Sequence, residues 1–142
     1  MHMQIGQVAA RTELSINTVR HYDEVGLVTP SARSTGGFRL YTETDVERLL
    51  VIRRMKPLGF TLAEMKGLLD SLEILSGGEG PQESRTAAAH YLQECRSKAQ
   101  ASSAKLRKHL AYAEELTNLL TTLSKEPVSE PHARADQRTG LA

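Results

Sequence analysis

The sequence predicts a mainly α-helical protein in two parts, a small helical domain carrying one β-hairpin and then a single long helix. Three observations lead there. Apolar residues recur at steps of three and four through most of the chain, which is the period of a helix with one buried face. The stretch Phe38-Arg39-Leu40-Tyr41 switches to period two directly after Gly36-Gly37. Beyond Pro81 neither glycine nor proline occurs until after Ser124.

Each element has its own signal. Ile5, Val8, Ala9 and Thr12 fit one face of a first helix, and "TELS" interrupts it. Ser15 is a good N-cap for a second helix, whose Ile16 and Val19 turn inward and leave Asn17, Thr18, Arg20 and His21 outward. Gly26 is placed to end that helix in a left-handed conformation, and Pro30 blocks continuation. Two short helices joined by a tight turn make a helix-turn-helix arrangement. Residues 31–41 read as a hairpin, with Phe38 and Leu40 on one face and Arg39 and Tyr41 on the other. Thr42 caps a third helix with Asp45 near its positive end and Val46, Leu49, Leu50 and Arg53 on one face. Gly59 closes it, although Pro57 in its last turns predicts a clash with the Arg53 carbonyl and a kink that shifts Lys56. Thr61 and Glu64 form a capping box for a fourth helix with Leu62, Met65, Leu69 and Leu72 at 3-4-3 spacing.

Residues 1–75 are thus expected to form the first domain, 76–84 ("SGGEGPQES") a linker, 85–124 the long helix, and 125–142 a mobile tail without periodicity. Along the long helix, Leu92, Cys95, Ala99, Ser103, Leu106, Leu110, Ala113, Thr117 and Leu120 form a stripe. A helix of about 40 residues spans roughly 60 Å, too long to bury its stripe on a 75-residue domain. The stripe needs a partner helix, and another copy of the same chain is the simplest one.

Composition narrows the function classes. Aromatics are only 4% of the residues, which argues against one large core, and the net charge of +1 gives no bulk electrostatic case for nucleic acid. Cys95 is the single cysteine, so an internal disulfide and a four-cysteine zinc site are excluded. No apolar run approaches the ~18 residues of a membrane span and no signal-peptide core is present, so the expectation is a cytoplasmic protein with no membrane partner. No paired carboxylates or nucleophile motif stand out, and the glycines of "SGGEG" lack the Lys-Ser/Thr of a phosphate loop, so the chain is not expected to be an enzyme or to hold a cofactor.

The stretches "IGQVAARTELS", "TVRHYDEVGLVTP", "GGFRLYT" and "LGFTLAEMKGLL", in that order, resemble the MerR family of bacterial transcription regulators over residues 4–72. The resemblance implies a winged helix-turn-helix DNA-binding domain followed by a long dimerisation helix paired as an antiparallel coiled coil. It also implies a homodimer that binds a pseudo-palindromic operator in a promoter with a long spacer, bending and untwisting the DNA for RNA polymerase. On that reading Asn17, Thr18, Arg20 and His21 face base edges in the major groove, with Arg20 the candidate for a bidentate guanine contact; the alternatives are an Asn17 that serves only the helix start and an Arg20 that is a solvated surface charge. Tyr22 reaches a phosphate, a ring packed between helices being the alternative, and Arg39 and Tyr41 grip the backbone from the wing. Arg11 and Lys56 match basic phosphate contacts. Arg48, Arg53 and Arg54 read as surface charges or intramolecular ion pairs. Leu92, Ala99, Leu106, Leu110, Ala113 and Leu120 carry dimerisation.

Three positions depart from the family pattern. Glu13 stands where glycine is usual, which predicts a left-handed non-glycine turn costing about 1 kcal/mol. His21 replaces a tyrosine, and Pro57 enters a helix. Metal-sensing relatives carry two or more cysteines near the dimer helix, and here a Cys95–His109 site between subunits is the alternative to the preferred reading of Cys95 as a small apolar side chain. About 18 residues follow the long helix, too few for a ligand-binding core.

Overall fold

A computed structural model describes residues 2–129, with side chains through residue 125. The order of elements is β1 (Met3–Gln4), α1 (Ile5–Thr12), α2 (Ile16–Glu24), β2 (Ala32–Arg33), β3 (Arg39–Tyr41), α3 (Glu43–Met55), a 3-10 turn (Lys56–Leu58), α4 (Leu62–Gly77) and α5 (Gln82–Ser129). The helix starts are set by side chains that satisfy otherwise orphaned backbone N–H groups. Ser15 Oγ accepts from Thr18 N at 3.0 Å, and the reciprocal boxes Thr42/Asp45 and Thr61/Glu64 open α3 and α4.

The turn between α1 and α2 is the left-handed one the sequence predicts, with Glu13 at φ 59° and ψ 30°. Its cost is offset locally: Arg53 Nη1 donates to the Thr12 carbonyl at 2.7 Å, satisfying a carbonyl at the end of α1. Arg53 is therefore a turn support, not half of an ion pair. Gly26 ends α2 at φ 74°, as expected.

Pro57 does not kink a helix. α3 stops at Met55, the chain tightens into a 3-10 turn with Pro57 near its start, and Gly59 at φ 86° reverses it. Proline is tolerated in a first turn because the N–H it lacks has no intrahelical partner there.

The hairpin is part of a three-stranded antiparallel sheet in the order β1-β3-β2, with Met3 opposite Tyr41 and Arg33 opposite Arg39. The sequence reading missed β1, two residues too short to show a period. One core gathers Val8, Val19, Tyr22, Val28, Tyr41, Val46, Leu49, Ile52, Phe60, Met65 and Leu69. Ile16, Leu62 and Leu72, expected inside, are 42%, 43% and 37% exposed because they sit at the edges of their helix stripes.

By internal contact the chain divides into two units, Met1–Ser102 and Ser103–Ala142, so the first unit includes the opening turns of α5. Those turns are fastened to α4 and the turn before it. Tyr91 donates its hydroxyl to the Glu64 carbonyl at 3.0 Å, and Ser102 donates to the Leu58 carbonyl at 3.1 Å. Lys98 meets the Glu64 carboxylate at 2.7 Å and lies 4.8 Å from the centre of the Phe60 ring. Lys98 and the Thr61 N–H together hold the Glu64 carboxyl below its usual range. Cys95 and Ala99 pack against the core, and burial pushes the Cys95 thiol up. Leu92 is half-buried in the same unit.

In the second unit every residue from 104 to 125 is exposed, Leu106, Leu110, Ala113 and Leu120 included. The helix bounds differ from the expected 85–124, α5 starting three residues earlier and continuing to Ser129. Of the tail expected at 125–142, residues 130–142 lie outside the described residues. Among the described residues no helix is long and apolar enough to cross a membrane.

Candidate nucleic-acid interface

α2 is two-sided. Val19 and Tyr22 are buried, while Asn17 and His21 are exposed and Thr18 and Arg20 half-exposed. The outward side chains brace one another: Arg20 Nη1 donates to Asn17 Oδ1 at 3.0 Å, and Ser15 Oγ donates to Thr18 Oγ1 at 2.8 Å. Arg20 so held presents its remaining N–H groups on the first turns of the helix, the geometry that base-edge reading requires. Tyr22 is 4% exposed, and burial raises its hydroxyl pKa; its ring belongs to the core, beside the tilted His21 ring 5.9 Å away.

The wing corrects an expectation. Arg39 and Tyr41 do share a face of β3, but the helices pack on that face: Tyr41 joins the core with Val8, Val19 and Val46, and Arg39 turns onto α2. Tyr41, expected at the DNA backbone, is instead fully buried, and its hydroxyl finds no partner among the described residues. Arg39, 22% exposed in its side chain, donates Nε to Asp23 Oδ2 of α2 at 2.6 Å. Arg33, its cross-strand partner, donates Nη2 to the same oxygen at 3.1 Å. That carboxylate raises the Arg39 pKa further. Phe38 at the hairpin tip is 66% exposed.

Arg11 is also engaged. Its guanidinium forms a bidentate pair with Glu43 at the start of α3, one arm at 2.9 Å, and the Glu43 carboxyl is lowered by it. Lys56 is exposed on the 3-10 turn. Arg48 pairs with Glu73 at 3.5 Å, as read, and Arg54 is exposed.

Sequence reasoning missed Asp23 and Arg33. A signal for them existed: a hairpin turning at Gly36-Gly37 sets Arg33 opposite Arg39, and like charges directly opposite repel unless a carboxylate lies between. Within one chain, no group of three or more His, Cys, Asp or Glu among the described residues could hold an ion, and the Cys95–His109 alternative needs a second copy.

Residues 3–72 match the model of the MerR HTH family regulatory proteins. The chain is 46% identical over 70 residues to the HTH-type transcriptional activator mta of Bacillus subtilis (strain 168), covering 49% of this chain and 27% of that protein. It is 38% identical over 91 residues to the HTH-type transcriptional regulator ZntR of Escherichia coli (strain K12), covering 64% of each. The matched part thus spans between about a quarter and just under two thirds of these relatives' length. The crystal structure of HiNmlR, a MerR family regulator lacking the sensor domain and bound to promoter DNA, superposes with a TM-score of 0.65 over 95% of this chain and 99% of that one, and at 18% identity it speaks for the fold alone. With the helix-turn-helix, the small sheet and the long helix in the same order, the chain belongs to the MerR family of regulatory proteins.

Proposed function

We propose that the protein is a DNA-binding transcription regulator that acts as a homodimer. The observation that carries the reading is α2, a short helix buried on one side and offering Asn17, Arg20 and His21 on the other. α2 enters the major groove, while Arg39 from the wing, Arg11 and Lys56 meet the backbone. The exposed leucines of the second unit support pairing of two copies through an antiparallel coiled coil, which spaces two recognition helices for a pseudo-palindromic site. Family membership supports the finer mechanism, in which the dimer bends and untwists a promoter with a long spacer so that RNA polymerase engages both of its elements.

Binding of Arg20→Ala across a randomised duplex library tests the reading. The expected loss is about 1–3 kcal/mol on the preferred duplex, with relaxed base preference at one position per half-site. Arg39→Ala is expected instead to weaken preferred and unrelated duplexes alike and to lower the salt slope of log K by about 0.9. An unchanged base preference in Arg20→Ala would overturn the assignment of α2 as the reading helix.

A further inference from the structure

The geometry points to Asp23 as a positioning residue for DNA binding: it ties the two wing arginines to the recognition helix, so that helix and wing meet the duplex as one preset surface. The inference rests on the functional reading above and adds a residue that does not itself touch DNA. β3 is held by β1 and by the buried Tyr41, but β2 is an edge strand of two residues paired to β3 alone. Asp23 adds a tie from α2 to both strands of the hairpin. It stands in the last turns of α2, its side chain is 9% exposed, and a single oxygen, Oδ2, accepts from Arg39 Nε at 2.6 Å and Arg33 Nη2 at 3.1 Å.

The atoms used matter. Arg39 gives only Nε to the carboxylate and Arg33 only one Nη2, and their other guanidinium N–H groups have no hydrogen-bond partner among the described residues. A guanidinium pinned through Nε has a fixed plane, and its Nη edge is free to make the forked contact that suits a phosphate. One carboxylate shared by two arginines does not neutralise both of them, so Asp23 orients the pair while part of its positive charge remains, with Glu24 also acting on Arg39. The ordering that a phosphate contact would otherwise have to impose on two long side chains is already in place before binding.

The test is a double-mutant cycle on the full chain, read on a duplex selected by the unsubstituted protein from a random library and on a mixed-sequence duplex. Asp23→Asn keeps the shape of the side chain and removes its charge. It is expected to weaken binding to both duplexes by about tenfold in the native background, and by no more than about twofold when Arg33→Ala and Arg39→Ala are already present. A purely structural aspartate would cost the same factor in both backgrounds. Should Asp23→Asn fail to fold, Arg39→Lys probes the pair from the wing: lysine keeps the charge but lacks the Nε and Nη edge, and it is expected to keep the salt slope while binding several-fold more weakly than the unsubstituted protein. Binding that is unchanged or tighter in Asp23→Asn, an equal loss in both backgrounds, or full binding by Arg39→Lys overturns the role of Asp23 while leaving the functional reading intact. An unsubstituted protein that binds neither duplex overturns both.

Discussion

The two units use leucine in opposite ways. In the first, Leu49 and Leu69 are 0% and 2% exposed and sit in one core with residues from α1, α2, β3 and the turn before α4. In the second, Leu106, Leu110, Leu116, Leu119, Leu120 and Leu123 are between 49% and 58% exposed, on a helix with the same three-and-four spacing. Helical period therefore reports that a stripe exists, and not what covers it. A stripe left exposed among the described residues is what the proposed pairing with a second helix would bury.

The comparison can be broken most severely in the second unit. Leu106→Glu with Leu110→Glu would place four unpaired carboxylates in the proposed seam of a dimer, at a cost of at least about 5 kcal/mol per dimer. The expected product, by sedimentation, is a monomer whose first unit melts as before and which no longer binds the preferred duplex tightly. A double mutant that stays dimeric places the pairing elsewhere.

A milder blow falls on the first unit. Leu49→Ala removes a wholly buried side chain and should lower that unit's stability by about 3 kcal/mol, within the range for such cavities. Leu116→Ala, measured on the Leu106→Glu, Leu110→Glu monomer, should change it by less than about 0.5 kcal/mol. Equal losses at the two positions would mean that the exposed stripe is covered within one chain.

An effect smaller than the Leu49 cavity lies at the seat of α5 on α4, and it carries a change of sign. A methyl at Gly67 would meet the Tyr91 hydroxyl oxygen at 2.8 Å and its Cζ at 2.9 Å. Gly67→Ala should therefore destabilise the native protein by about 1 kcal/mol through overpacking. With Tyr91→Ala already in place the clash is gone, and the same change should stabilise by up to about 1 kcal/mol through helix propensity. Denaturant midpoints of the four proteins decide it, and a stabilising Gly67→Ala in the native background would show that Tyr91 is not held against α4.

What was legible along the chain is what local chemistry dictates. Ser15, Thr42 and Thr61 satisfy N–H groups within three residues of themselves, so the starts of α2, α3 and α4 can be read without any tertiary contact. Glu13 in the left-handed turn and Gly26 after α2 are likewise decisions of single dihedral angles. The outward set on α2 follows from the helical period, given one buried side.

The tertiary structure alone decided which face of the wing looks inward. Alternation pairs Arg39 with Tyr41 correctly, but period two is symmetric between the faces of a strand, and only the packing of Val8, Val19 and Val46 from three helices on one of them buries Tyr41. The partners of the arginines are equally non-local: Asp23 lies 16 residues from Arg39, Glu43 lies 32 from Arg11, and the Thr12 carbonyl lies 41 from Arg53. Pro57 ended a helix instead of bending it because it falls at the start of the 3-10 turn, where the N–H it lacks has no intrahelical partner, and Gly59 then reverses the chain. Sequence fixes choices whose energies are settled within a turn of helix; contacts across tens of residues depend on how the finished core sets its elements, and a one-dimensional pattern does not contain that distance.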